Sequence, residues 1–239
     1  MASSTSSDLK LELITTGEKS GTWGTITNTN LQILEQAASG YIAVDVASSD
    51  VALALSNHAV SNGKNLYFKL TGTLAANRTV TMPDSAERVF IVEDATTRST
   101  SNYTLTIKTV SGTGIALPVG SKCLVYSDGT NINLGIRQKG YYTPTTAYTA
   151  VDGDQLLIDT SGSGIGSAIT ITLPASPSVG SEVHFIDSGN NFASNNLTIA
   201  RNGSNILGAA SNLVVNTSAS AFTLVFVNAT RGWAYKTKI

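Results

Sequence analysis

A single cysteine, Cys123, excludes an intrachain disulfide, and with only two histidines the chain has no Cys/His spacing typical of a zinc site. Cys123 opens the apolar run Cys123–Tyr126 and reads as a buried core thiol. Charge is also scarce. Only 13% of residues are charged, against a usual level of about 25%. The 15 basic and 16 acidic side chains leave a net charge of -1, which argues against DNA, RNA or an anionic membrane as a partner held by a strong field. Lys and Glu are too few for an architecture of long helices. No apolar stretch approaches the ~18 residues of a membrane span. No basic segment followed by an apolar one opens the chain, so no signal peptide is expected. The expectation is a protein made in a cytoplasm, with no membrane insertion and no secretory route.

Ser and Thr fill the space that charge leaves, and Thr favours strands. Residues Met1–Ser7 are small and polar. Leu9, Leu11 and Leu13 alternate with Lys10 and Glu12, the pattern of a strand or extended arm. A turn is expected over Gly17–Gly24, with Trp23 projecting from Gly21-Thr22-Trp23-Gly24. Asn28 and Asn30 offer N-caps to one helix, about Leu31–Ser39, which Gly40 ends. Leu31, Leu34 and Ala38 would share a face of it.

Beyond Gly40 the period changes to two. Strands are expected at Tyr41–Val46, Val51–Leu55, Leu66–Leu70, Arg78–Met82, Val89–Glu93, Leu105–Thr109, Lys122–Ser127 and Asn131–Gly135. A second series covers Gln155–Asp159, Ala168–Leu173, Glu182–Asp187, Asn196–Arg201, Asn212–Asn216, Phe222–Val227 and Trp233–Lys236. The two series resemble each other: Thr79–Pro83 matches Thr170–Pro174, Val89–Asp94 matches Val183–Asp187, Asn102–Ile107 matches Asn195–Ile199, and the final hairpins correspond. Gly140–Ala150 reads as the join. The fold expected is all-β: two tandem antiparallel β-sandwich or jelly-roll-like modules after a short N-terminal arm and helix, divided as 1–39, 40–138 and 139–239.

The search for chemistry is nearly empty, so no cofactor, metal or catalytic residue is assigned. His184 alternates with Val183 and Phe185 and belongs on the opposite face; His58 is an isolated histidine. Gly162-Ser163-Gly164-Ile165-Gly166 lacks the Lys-Ser/Thr and the helix of a phosphate loop. Asp152-Gly153-Asp154 is too short a set for calcium. Asp45 with Asp50, and Glu93 with Asp94, are the nearest approach to the paired carboxylates of glycan cleavage. Tyr141, Tyr142 and Tyr148 cluster in the join, where packing explains them as well as sugar stacking does.

One block carries a resemblance. Leu9–Gly24, with its Gly-Thr-Trp-Gly, followed by Asn28 and Asn30-Leu31, resembles the opening of tailed-phage fibre and appendage proteins, most closely virion structural proteins of marine cyanobacterial phages. Thr79–Pro83 and the Ser127–Asn131 turn are similar to the β-rich modules of that family. The resemblance implies a non-enzymatic virion structural protein, a trimeric fibre-like appendage anchored through residues 1–39 to other phage virion proteins. It implies virion-anchoring roles for Gly21, Thr22, Trp23, Gly24, Asn28, Asn30, Leu31 and Leu34. A capsid decoration or head–tail joining protein, and a carbohydrate-binding module for a host-surface glycan, are the alternative expectations.

Overall fold

The computed structural model describes residues 2–99, 103–138 and 140–238. Strands β1 (Ser4–Thr5) and β2 (Glu12–Leu13) form a small antiparallel pair before helix α1 (Trp23–Ser39). The strands that follow are β3 (Tyr41–Asp45), β4 (Val51–Ala52), β5 (Tyr67–Thr71), β6 (Thr73–Leu74), β7 (Arg78–Met82), β8 (Glu87–Asp94), β9 (Thr97–Arg98), β10 (Leu105–Thr109), β11 (Gly114–Leu117), β12 (Lys122–Asp128) and β13 (Ile132–Gln138). A second set runs β14 (Tyr141–Tyr142), β15 (Tyr148–Thr149), β16 (Gln155–Ile158), β17 (Ile169–Thr172), β18 (Glu182–Asp187), β19 (Leu197–Ala200), β20 (Leu213–Val215), β21 (Ala221–Asn228) and β22 (Gly232–Lys238). The chain is mostly strand with this single α-helix among the described residues. It divides into two compact units: unit 1 is Met1–Thr97 with Thr104–Leu117 and Ser121–Gln138, and unit 2 holds the rest.

The antiparallel-sandwich expectation is corrected by the strand directions. In unit 1 the chain passes back and forth between two sheets. β3, β5 and β8 are parallel neighbours in one sheet, and β4, β7 and β10 are parallel neighbours in the other. Each return visit therefore adds a parallel strand, the winding of a β-solenoid. Only then do β11, β12 and β13 add antiparallel strands that close the unit. Parallel strands need a crossover connection; here the crossover is a strand of the opposite sheet.

Unit 2 repeats this winding in both of its sheets, without a counterpart of the small β6–β9 pair. The five-stranded orders are β13-β12-β8-β5-β3 and β22-β21-β18-β16-β14; the four-stranded orders are β11-β10-β7-β4 and β20-β19-β17-β15. Even the irregularity recurs, with a register shift at Leu124/Val125 in β12 and at Thr223/Leu224 in β21. Gly140–Ala150, expected as a join, carries β14 and β15, the first strands of the second winding. The alignment of Val89 with Val183 is one residue out of register. Phe90, Val92 and Asp94 point inward, as do Val183, Phe185 and Asp187, whereas Val89 is 50% exposed. A slip of one residue turns every side chain to the other face. Asn102, used in another match, lies outside the described residues.

Alternation explains the core. In unit 2 the inward residues of both sheets, among them Leu156, Ile171, Phe185, Ile199 and Leu224, form one buried cluster with Trp233. Cys123 is fully buried, as expected.

A buried carboxylate sits at the same corner in each unit. Asp187 accepts backbone N–H bonds from Asn191, Phe192 and Ala219, each at 3.1 Å. Asp94 accepts from the N–H and hydroxyl of Thr96. The N–H of Asp94 reaches the carbonyl of Ser121, and that of Asp187 reaches Ser220, both at 2.9 Å. The Asp187 carboxylate thus ties the end of a parallel strand to the start of the closing strands, while at Asp94 the backbone N–H makes that link and the carboxylate holds the turn at Thr96. Asp187→Ala would remove the acceptor of three backbone donors, of which the Phe192 N–H is buried, and a loss of about 1–3 kcal/mol in unfolding free energy is expected, the cost of one unsatisfied buried group; urea unfolding measures it.

Unit 1 also buries two cations. The Nζ of Lys64 donates to the carbonyls of Ser56 at 2.7 Å and Ala59 at 2.6 Å. Arg88 donates to the carbonyls of Gly63, Lys64 and Asn65, and its guanidinium lies 5.8 Å from the centre of the Phe90 ring. Burial pulls Arg88 down to about 10 and, with the Arg88 charge nearby, Lys64 down to about 8. The platform so formed carries the helix end: Gln36 accepts the N–H of Ser61, and a Cβ on Gly40 would come within 2.6 Å of Asn65 Oδ1. Because the folded value of Lys64 lies below its ordinary 10.5, the unfolded chain binds the extra proton between those values. The Lys64 contribution to stability should therefore rise with pH between about 8 and 10.5. Lys64→Met should flatten that slope, read as the difference between wild-type and variant unfolding free energies at each pH, because Tyr67, Tyr148 and Tyr235, all raised above 10.0, act in the opposite sense in both proteins as the pH approaches 10.

Candidate functional site

The helix begins eight residues before the expected Leu31. Its first residue is Trp23, with Thr22 at the cap position and no side-chain cap bond. Gly24, Asn28 and Asn30 are therefore helical, and neither Asn is an N-cap. Gly21 has φ +79, a left-handed turn that glycine permits. The N–H of Trp23 bonds to the carbonyl of Lys19 at 2.9 Å. Threonine hydroxyls bind back onto the helix, Thr27 to the Trp23 carbonyl and Thr29 to the Thr25 carbonyl, which satisfies the hydroxyls without strengthening the helix.

Asn30 holds the arm in place. Its Oδ1 accepts the N–H of Glu12 at 3.0 Å and its Nδ2 donates to the Glu12 carbonyl at 2.9 Å. Lys19 and Glu12 pair at 2.9 Å; the Lys19 hydrogen bond lowers the Glu12 pKa and Glu12 raises that of Lys19. Ile33 is the buried anchor of α1, while Trp23 is 62%, Leu31 56% and Leu34 44% exposed. Trp23 does not hide against its own helix. Residues 27, 31, 34 and 38 follow the 3–4 spacing of a coiled-coil seam, and of these Leu31, Leu34 and Ala38 are exposed.

A second apolar feature was missed in the sequence. Register places Tyr41, Tyr67, Ile91, Leu124 and Ile136 side by side across the outer face of the five-stranded sheet of unit 1. Tyr41 is 59% and Ile136 68% exposed. The Tyr41 and Tyr67 rings lie 5.7 Å apart, and Tyr67 donates to Glu93 at 2.6 Å. The equivalent row of unit 2 is Tyr141, Gln155, His184, Thr223 and Thr237. That row is polar and hydrogen-bonded, with His184 Nδ1 2.7 Å from the Thr223 hydroxyl and Thr237 3.2 Å from it. His184 is on the outward face, opposite Val183 and Phe185. Only the order of neighbours reveals the contrast, because each row takes one residue from each of five strands.

The carboxylates considered for chemistry accept structural hydrogen bonds, some within a turn and some from strands about thirty residues away. Asp45 accepts from Ala47 N, Asp50 from Thr79 N, Asp152 from Glu182 N, and Asp154 from Val151 N and the Tyr148 hydroxyl. Burial and the facing Asp154 hold the Tyr148 pKa well above its ordinary value. Tyr142 and Tyr148 pack with ring centres 5.0 Å apart. The Gly162–Gly166 loop folds onto Asp159, which accepts the N–H of Ser161. No group of three or more His, Cys, Asp or Glu able to hold a metal occurs among the described residues. No helix among them is long and apolar enough to cross a membrane.

No protein-family model matches the chain, and no curated protein does. A solved structure described as a chaperone–substrate complex is similar at 13% identity and TM-score 0.36, over 82% of this chain and 36% of that one. The chain therefore spans about a third of the length of that neighbour.

Asn30→Ala should release β2 while leaving both β units folded. The amide of Glu12 should then exchange with solvent at least tenfold faster by hydrogen–deuterium exchange, the equivalent of about 1.4 kcal/mol from two hydrogen bonds.

Proposed function

We propose that this chain is a non-enzymatic structural protein of a tailed-phage particle, an oligomeric appendage whose expected state is a trimer. The observation that carries the reading is the placement of exposed apolar surface. Trp23, Leu31 and Leu34 on α1, and the row from Tyr41 to Ile136, all belong to unit 1. The matching row of unit 2 is polar. Exposed apolar patches of this kind mark association surfaces. The exposed Leu31 and Leu34 on one face of α1 support self-association, and Trp23, at the helix start, suits the anchoring role that the Gly-Thr-Trp-Gly resemblance implies. Large exposed aromatics are favoured anchors in binding pockets.

Sedimentation velocity should give a trimer for the full chain, and the double variant Leu31→Asp/Leu34→Asp should sediment as a monomer with unchanged circular dichroism. Trp23→Ala should keep the oligomer and reduce incorporation into particles. A wild-type monomer that is missing from purified particles would overturn the proposal. Cryo-electron microscopy of the particle separates an appendage from a capsid decoration or joining protein.

A further inference from the structure

Unit 1 carries two exposed apolar surfaces, one convex and one flat. The first is a strip of α1, where Leu31 and Leu34 are exposed and Glu35 flanks them, one turn on from Leu31. Glu35 is the only charged residue of the helix. The second is the outer face of the five-stranded sheet, with its row from Tyr41 through Tyr67, Ile91 and Leu124 to Ile136. Within one chain neither surface covers the other, since Leu31, Leu34, Tyr41 and Ile136 all remain exposed.

The sheet face is charged along one flank. Two residues further along the strands, about 7 Å away, register sets Lys69, Glu93 and Lys122 side by side. Glu93 is already engaged, by the Tyr67 hydroxyl at 2.6 Å and by Lys122 at 3.9 Å. Among the described residues Lys69 makes no ion pair, and neither does Glu35. The opposite flank of the apolar row is uncharged where Val89 and Tyr126 pair across β8 and β12. The face therefore has a surplus of one positive charge, on one side.

That pattern selects the occupant. Two copies meeting sheet to sheet about a two-fold axis along β8 would set Glu93 against Glu93 and Lys69 against Lys122. Like charges facing each other oppose association. An axis across the strands would instead lay the charged side chains over Val89 and Tyr126, and burying a charge without a partner is costly. The strip of α1 avoids both conflicts. It offers apolar side chains for the row and one carboxylate for the lysine flank, and a helix is a usual cover for the apolar face of a sheet. The corresponding row of unit 2 is polar, so each chain has one strip and one seat.

We propose that a second copy of this chain covers the sheet face of unit 1. Leu31 and Leu34 of one copy seat on the row between Tyr41 and Ile136 of the next, and Glu35 reaches Lys69. The contact is head to tail, and such contacts close into a ring when the rotation between copies permits. The inference rests on the oligomeric reading above and specifies which surfaces meet in it.

The test uses the full chain carrying Leu34→Cys and Ile136→Cys, oxidised with copper phenanthroline; the native Cys123 is buried. Non-reducing electrophoresis should show covalent multimers, and peptide mapping should find a disulfide joining position 34 of one copy to position 136 of another. In a chain with the native cysteine alone, Glu35→Lys should raise the dissociation constant of the oligomer about tenfold or more, because like charges then meet at the contact. Adding Lys69→Glu should restore association. Disulfides that join 34 to 34, 136 to 136 or two positions of one chain would overturn this arrangement, as would the absence of covalent multimers. So would an unchanged dissociation constant for Glu35→Lys, or no recovery with Lys69→Glu. In each of these cases a trimeric wild-type chain would leave the oligomeric reading standing, whereas a monomeric one would remove both.

Discussion

Both units depend on a carboxylate buried at one corner. Parallel winding delivers strands that all run the same way, and closing the unit requires the chain to reverse. The reversal leaves backbone N–H groups, that of Phe192 buried among them, without strand partners. Asp187 collects three of these and joins segments more than thirty residues apart. Asp94 performs the shorter version with Thr96. In each case a serine carbonyl, at Ser121 or Ser220, receives the N–H of the same aspartate. The scarcity of charge in the chain makes sense in this light. Many of its acidic side chains serve as acceptors for turn backbones rather than as surface charge.

The arm and helix are assembled by a different device. Glu12 is held from two sides, by Asn30 through its backbone and by Lys19 through its side chain. The helix rests on a loop gathered by buried Lys64 and Arg88. These contacts use up the inner face of α1 and leave Trp23, Leu31 and Leu34 outward. Exposure of that face is therefore a consequence of how the segment is fastened.

Period-two patterning made most strands legible; β7, β10 and β18 coincide with their expected spans. Strand direction was not legible, because alternation is the same for parallel and antiparallel neighbours. The signal available was connection length: the gap from β3 to β5 is too long for a hairpin. The first two turns of α1 were hidden by threonine and asparagine, which favour turns until a tertiary clasp such as Asn30 to Glu12 intervenes. The anchoring set was legible as a motif, but Asn30 was assigned to capping when it instead binds the backbone of Glu12. The outer apolar row was not legible at all, since it exists only once five strands are set in register.

The matching strand order and the shared bulge have a consequence for how such a chain can change over generations. The units share their strand order and a corner aspartate, while their inward side chains differ in size and their outward rows in polarity. A recombination event that exchanged or added one whole unit would preserve every inward register. A lineage carrying this architecture could therefore lengthen, shorten or re-surface its product in unit-sized steps, without first solving a new folding problem.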